Sequence, residues 1–205
     1  RPNIVGNFLR YLSGVNMSLN ANTQVVLFSR PVGFPEPNNF EIVNVPIPQA
    51  KEGQILVETL WLSLDPYMRG RMNDTMSYAA PIKIGEVMVG GTVGRVLESR
   101  IPGFSSGDIV EGRLGWQSYA VSDGKGMRKV NESLAPIQTS LGILGMPGMT
   151  AYFGFLDVCD PIPGDTVVVS AASGAVGQIV GQIAKIMDCR VIGTAGSDDK
   201  VNFIA

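Results

Sequence analysis

The chain has 205 residues, 45% hydrophobic and 17% charged, with a formal net charge of −2. That balance suits a globular protein with a sizeable core and excludes intrinsic disorder and a broad basic surface for nucleic acid. It has no histidine and two cysteines, which rules out a Ser-His-Asp triad, a histidine general base, a histidine-bound zinc and a four-cysteine zinc site. Reactive chemistry in such a chain is expected from a cofactor.

No run of 18 apolar residues occurs, so no transmembrane helix and no membrane partner are expected. Cys159 and Cys189 lack metal-like or CxxC spacing, which suits reduced thiols and a cytoplasmic location. Residues 1–23 are expected to be a flexible extension. Residues 1–16 contain no acid, and Arg1 and Arg10 flank an apolar stretch, so an upstream or added extension before Met17 and a mitochondrial transit remnant are both open.

Residues 24–28, 40–45, 54–64 and 86–98 are β-branched or alternating runs punctuated by Gly and Pro clusters. Short strands at this spacing predict a closed or partly closed β-barrel over 24–139. The glycines in Val89-Gly90-Gly91-Thr92-Val93-Gly94 mark bulges or barrel corners. Leu64 to Met72 reads as a turn carrying Tyr67, Arg69 and Arg71. Tyr67 there either packs as a barrel-edge residue or donates to a substrate or ribose oxygen.

The pattern changes near residue 140. Met149 to Val158 reads as a helix entered through the turn at Pro147-Gly148, ended by Pro161, Pro163 and Gly164. Met146 and Thr150 either start this helix or line a nicotinamide. A strand at Thr166–Ser170, a glycine turn, a helix over 175–187 and a strand at Arg190–Thr194 follow. Ser197 is placed to cap a further helix. This βαβα order predicts the first part of a doubly wound parallel sheet over 140–205. A β-α-β start does not bury itself, so the natural protein is expected to continue past Ala205.

The turn Ser170-Ala171-Ala172-Ser173-Gly174-Ala175-Val176-Gly177 lies between that strand and an amphipathic helix. Backbone N–H groups in this setting hold a pyrophosphate, with Gly174 turning the chain and Gly177 and Gly181 letting helix and strand approach. Small-residue packing is the competing account of the same glycines. The second strand ends in Gly193-Thr194-Ala195-Gly196, with no acid for a ribose 2′-hydroxyl. Ser197, a helix N-terminus and Lys200 suit a 2′-phosphate, which favours NADP(H) over NAD. Asp198 and Asp199 oppose it, and a solvated Lys200 is the alternative.

Four ordered segments carry a resemblance: Leu62 to Met72, Gly145 to Tyr152, Ala171 to Gly177 and Gly196 to Lys200. Together they resemble the zinc-independent medium-chain dehydrogenase/reductases, specifically the NADPH-dependent alkenal/one oxidoreductases. That group includes the leukotriene B4 12-hydroxydehydrogenases (prostaglandin reductases), plant double-bond reductases and curcumin reductases. The resemblance implies a GroES-like barrel before a Rossmann domain. It implies NADPH on Gly174, Ala175, Val176, Gly177, Ser197 and Lys200, with Met146 and Thr150 near the nicotinamide and no metal. Tyr67 is implied to position substrate or stabilise an enolate. The implied activity is reduction of the C=C bond of an unsaturated ketone or aldehyde, in a homodimer. A quinone reductase of the zeta-crystallin type and a non-catalytic nucleotide-binding fragment are the alternatives.

Overall fold

A computed structural model describes residues 21–75 and 77–205. The expected extension at 1–23 therefore falls almost wholly outside the described residues. The chain divides into two compact units, one ending at Glu132 and the other beginning at Ser133.

The first unit is antiparallel. β1 (Asn22–Leu27) pairs with β2 (Phe40–Val45), Val25 opposite Ile42. β3 (Ile55–Leu62), β4 (Thr92–Ser99), β5 (Ile109–Gly112), β6 (Tyr119–Ser122) and β7 (Arg128–Lys129) form a second sheet in the order β6-β3-β4-β5-β7. Both sheets are open, with β6 and β7 as the edges of the larger one. Single bridges, Gln24 to Gln117 and Val26 to Val87, tie β1 to two neighbouring segments. The run expected from residue 86 becomes a regular strand only at Thr92.

Two apolar clusters hold this unit. Ile55, Val57, Val96, Val110, Leu114 and Ala120 pack on the larger sheet. Val25, Leu27, Met68, Met72, Ile82, Met88 and Trp116 form the other cluster, and Phe40 stacks on Trp116 with ring centroids 5.7 Å apart. From Gly94 onward β4 alternates: Gly94 and Val96 are buried while Arg95 and Leu97 are exposed. Gly94 sits where β3 and β4 slip register, between Thr59 and Trp61. A Cβ on it would lie 2.5 Å from the Glu58 carbonyl oxygen, so close strand approach demands glycine.

Leu64 to Met72 is not simply a turn. α1 (Tyr67–Arg71) is a short helix that follows Pro66. Arg69 pins it: Nε donates to the Gly33 carbonyl (2.9 Å), Nη2 to the Pro31 carbonyl (2.9 Å) and Nη1 to Asn73 Oδ1 (2.6 Å). Arg30 Nη1 donates to the Met72 carbonyl at 2.7 Å. These bonds offset the weak intrinsic stability of so short a helix.

The second unit is α/β. α2 (Met146–Tyr152) runs into a π-helical segment, Phe153–Val158. The helix thus begins three residues before the expected start and incorporates Pro147 at its first turn, where a missing N–H costs nothing. Gly148 is also inside it, and a Cβ there would collide with the Ile143 carbonyl oxygen. β8 (Thr166–Val169) and β9 (Arg190–Gly193) pair in parallel, Val167 opposite Val191, with α3 (Gly177–Ile186) between them in sequence. On α3 Ile179 is buried, and Val180, Ile183 and Met187 pack around Phe155, Ala184 and Cys189. α4 (Asp198–Ile204) follows β9. Val168 and Ile192 on the two strands are exposed. No helix among the described residues is long and apolar enough to cross a membrane.

Candidate functional site

The glycine turn joins the end of β8 to the start of α3. The reversal itself is made by Ala171, which adopts φ +48°, and not by Gly174. That left-handed conformation costs a non-glycine residue about 1 kcal/mol or more. The Gly174 N–H closes the turn on the Ala171 carbonyl at 2.8 Å. Ala172 N–H donates to the Thr194 carbonyl (3.0 Å), and Thr194 N–H donates to the Val169 carbonyl (2.9 Å). The turn after β8 and the strand end after β9 are therefore one connected piece of backbone.

Gly177 is required by space. A Cβ there would lie 2.5 Å from the Ala171 carbonyl oxygen and 2.9 Å from the Ala172 Cα. Gly181, expected to serve helix–strand approach as well, is different: a Cβ on it would meet Val191 Cγ1 at an ordinary 3.8 Å. The helix begins without a side-chain cap, with Val176 at the N-cap position. Helical bonding starts with Gln178 N–H to the Gly174 carbonyl (3.1 Å). The preceding N–H groups, of Ala175, Val176 and Gly177, have no carbonyl partner among the described residues. Uncapped N–H groups on a helix N-terminus are suited to an anion, through both hydrogen bonding and the helix dipole.

The strand end after β9 carries no acidic side chain before Asp198. Ser197 occupies the N-cap of α4, but its hydroxyl makes no capping bond. The expectation that it caps the helix is corrected, and the hydroxyl is left available. Lys200 is exposed on the first turn of α4, and no ion pair involves it among the described residues. Asp198 and Asp199 are exposed on the same turn.

Met146 opens α2 and is exposed, whereas Thr150 donates its hydroxyl to the Met146 carbonyl at 2.7 Å. That is a helical back-bond, so Thr150 offers only acceptor capacity while it persists. α2 packs against α3.

Tyr67 belongs to the first unit. It opens α1 and packs half-buried on the cluster of Met68, Met72, Met88 and Trp116. Burial, and then the Asp65 carboxylate, push its phenol above the ordinary value, while Arg113 and Arg71 pull the other way. Tyr67 is thus a neutral hydrogen-bond donor at physiological pH. Arg113 was not foreseen; a single arginine in a turn carries no sequence signal. Among the described residues no group of acids and cysteines is arranged to hold a metal ion.

The chain is similar to several known proteins. Residues 23–130 match the family described as the N-terminal domain of oxidoreductase. The NADPH-dependent curcumin reductase of Escherichia coli is 52% identical over 87% of this chain and 52% of its own length. The NADP(+)-dependent 2-alkenal reductase of Nicotiana tabacum is 46% identical over 90% of this chain and 55% of its own. A solved structure of CurA from Vibrio vulnificus in complex with NADPH is 50% identical, with a TM-score of 0.84, over 88% of this chain and 54% of that one. The chain spans about half the length of the curated relatives it matches. On the family match the chain belongs to the oxidoreductases that carry this N-terminal domain, and it is similar to the curcumin and 2-alkenal reductases.

Proposed function

We propose that the protein reduces the C=C bond of α,β-unsaturated ketones and aldehydes with NADPH. The observation that carries this is the turn at 171–177: it follows a parallel strand, approaches too closely for any side chain at Gly177, and opens a helix with uncapped N–H groups. Gly174, Ala175, Val176 and Gly177 would hold the pyrophosphate. Ser197 and Lys200 would take the 2′-phosphate, where a neutral strand end favours NADPH over NADH. Met146 and Thr150 would flank the nicotinamide. The curcumin reductase and 2-alkenal reductase relatives, and the CurA–NADPH structure, support this cofactor and reaction class.

When bound, the nicotinamide would supply a hydride to the β-carbon of the unsaturated carbonyl, and a proton from a donor or water would complete the saturated product at the α-carbon. The chain's own work is to orient the substrate and stabilise the oxygen on which negative charge develops. Tyr67, kept protonated by its half-buried setting, is suited to donate a hydrogen bond to that oxygen. Residues 24–139 would form a GroES-like domain closing into a barrel, and 140–205 the first part of a Rossmann domain. The assembled protein would be a cytoplasmic homodimer.

The test is NADPH oxidation by the full chain on adding a simple enone, with product identification. A saturated ketone is expected. A hydroquinone formed only from quinones, or no turnover across enals, enones and quinones, would overturn the reading.

A further inference from the structure

Tyr67 is carried by a helix with little to hold it from within. α1 is five residues long, and Pro66 at its N-cap supplies no side-chain capping bond. Its backbone bonds span only three residues: Met68 N–H to the Asp65 carbonyl (3.1 Å), Arg69 N–H to the Pro66 carbonyl (3.1 Å) and Met72 N–H to the Arg69 carbonyl (3.2 Å). So short a segment is marginal on its own. Met68 and Met72 seat it on the apolar cluster. Apolar contact is non-directional, and methionine is an adaptable side chain. That contact sets the depth of α1 and leaves its rotation to polar ties.

The ties leave α1 on the side away from Tyr67, since two residues advance a helix by roughly 200°. Arg69 reaches three acceptors with three nitrogens: Nε donates to the Gly33 carbonyl (2.9 Å), Nη2 to the Pro31 carbonyl (2.9 Å) and Nη1 to Asn73 Oδ1 (2.6 Å). Arg30 returns the tie from the loop, donating to the Met72 carbonyl at 2.7 Å and pairing with Asp74 at 3.5 Å. This loop joins β1 to β2, and Phe28 N–H to the Asn39 carbonyl (2.8 Å) fixes its start. Val32 and Phe34 are exposed, so the loop meets Arg69 with its backbone carbonyls. Serving three acceptors at once needs the planar fork of a guanidinium, which a lysine ammonium does not reproduce.

We infer that Arg69 is a positioning residue: by fastening α1 to the β1–β2 loop it sets the angle from which the Tyr67 phenol donates to the developing oxygen. This rests on the enone-reductase reading and on the part given there to Tyr67.

The experiment measures kcat for a simple enone in the full chain as wild type, Arg69→Lys, Tyr67→Phe and the double variant, with NADPH affinity and thermal melts on each. Arg69→Lys keeps the charge and loses the fork. A misplacement of about 1 Å at a reacting group costs roughly a hundredfold, so its kcat should fall about ten- to a hundredfold. Its Kd for NADPH should stay within about twofold of wild type, because the residues proposed to hold the cofactor lie in the other unit. In the Tyr67→Phe background the same substitution should change kcat by less than about twofold, because the hydroxyl it positions is gone. Where Arg69→Lys does not fold, Asn73→Ala removes one of the three bonds and keeps both loop carbonyls engaged. It should lower kcat about two- to tenfold, and only while the Tyr67 hydroxyl is present. Equal falls in kcat with and without that hydroxyl overturn the inference and leave the enone-reductase reading standing. Wild-type kcat in Arg69→Lys or in Tyr67→Phe does the same. Failure of the wild type to reduce any enone overturns both.

Discussion

Replacing Gly177 with alanine tests the geometry of the nucleotide turn most sharply. The new Cβ would fall 2.5 Å from the Ala171 carbonyl oxygen and 2.9 Å from the Ala172 Cα. Both obstacles are backbone, so no rotamer change relieves them. Overpacking of this kind costs about 1–3 kcal/mol, or roughly 2–10 °C in melting temperature for a chain of this size. The same shift turns the uncapped N–H groups away from a bound phosphate. Losing even one hydrogen bond to a charged group, about 1.5–3 kcal/mol, weakens NADPH binding by roughly ten- to a hundredfold. Gly181→Ala is the control. Its Cβ meets Val191 Cγ1 at 3.8 Å, and alanine within a helix stabilises by about 1 kcal/mol relative to glycine. Thermal melts and NADPH fluorescence titrations of both variants decide the matter. Gly177→Ala binding NADPH as tightly as wild type, with an unchanged melt, would refute the reasoning.

Three further outcomes are expected. Ala171→Gly removes a left-handed strain of about 1–2 kcal/mol and adds a backbone-entropy cost of about 0.5–1 kcal/mol, so the melting temperature should rise slightly; a clear fall would contradict the turn geometry. Lys200→Ala should raise KM for NADPH at least several-fold while leaving KM for NADH nearly unchanged, and steady-state kinetics with the two cofactors measures this. The Tyr67 phenol has its folded-state value above the ordinary one near 10. The folded state therefore binds the proton more tightly, and that stability is present below pH 10 and lost as pH rises past it. Raising the pH from 9 to 11 should lower the wild-type melt more than that of Tyr67→Phe.

What could be read from the chain follows the strength of its local patterns. β2, β8 and β9 emerge close to the expected bounds because their β-branched runs are bracketed by Gly and Pro. α3 emerges because Ile179, Val180 and Ile183 repeat at helical spacing over enough turns. β5, β6 and β7 went unrecognised: they are four, four and two residues long, too short to display alternation. The π-helical segment at Phe153–Val158 has nearly the same apolar spacing as an α-helix, so one continuous helix was expected. At the site, the need for glycine at Gly177 was legible. That Ala171 and not Gly174 makes the reversal was not, since composition favours glycine wherever φ is positive. Ser197 holds the right residue type for a cap but forms no capping bond.

The central claim, conjugate reduction by NADPH, is most directly tested by tracing the hydride. The full chain is supplied with NADPH deuterated at the transferring C4 position and a simple enone, and the product is analysed by NMR. The account predicts a saturated ketone with deuterium on the β-carbon. An allylic alcohol with deuterium on the carbonyl carbon, or no transfer, would contradict it.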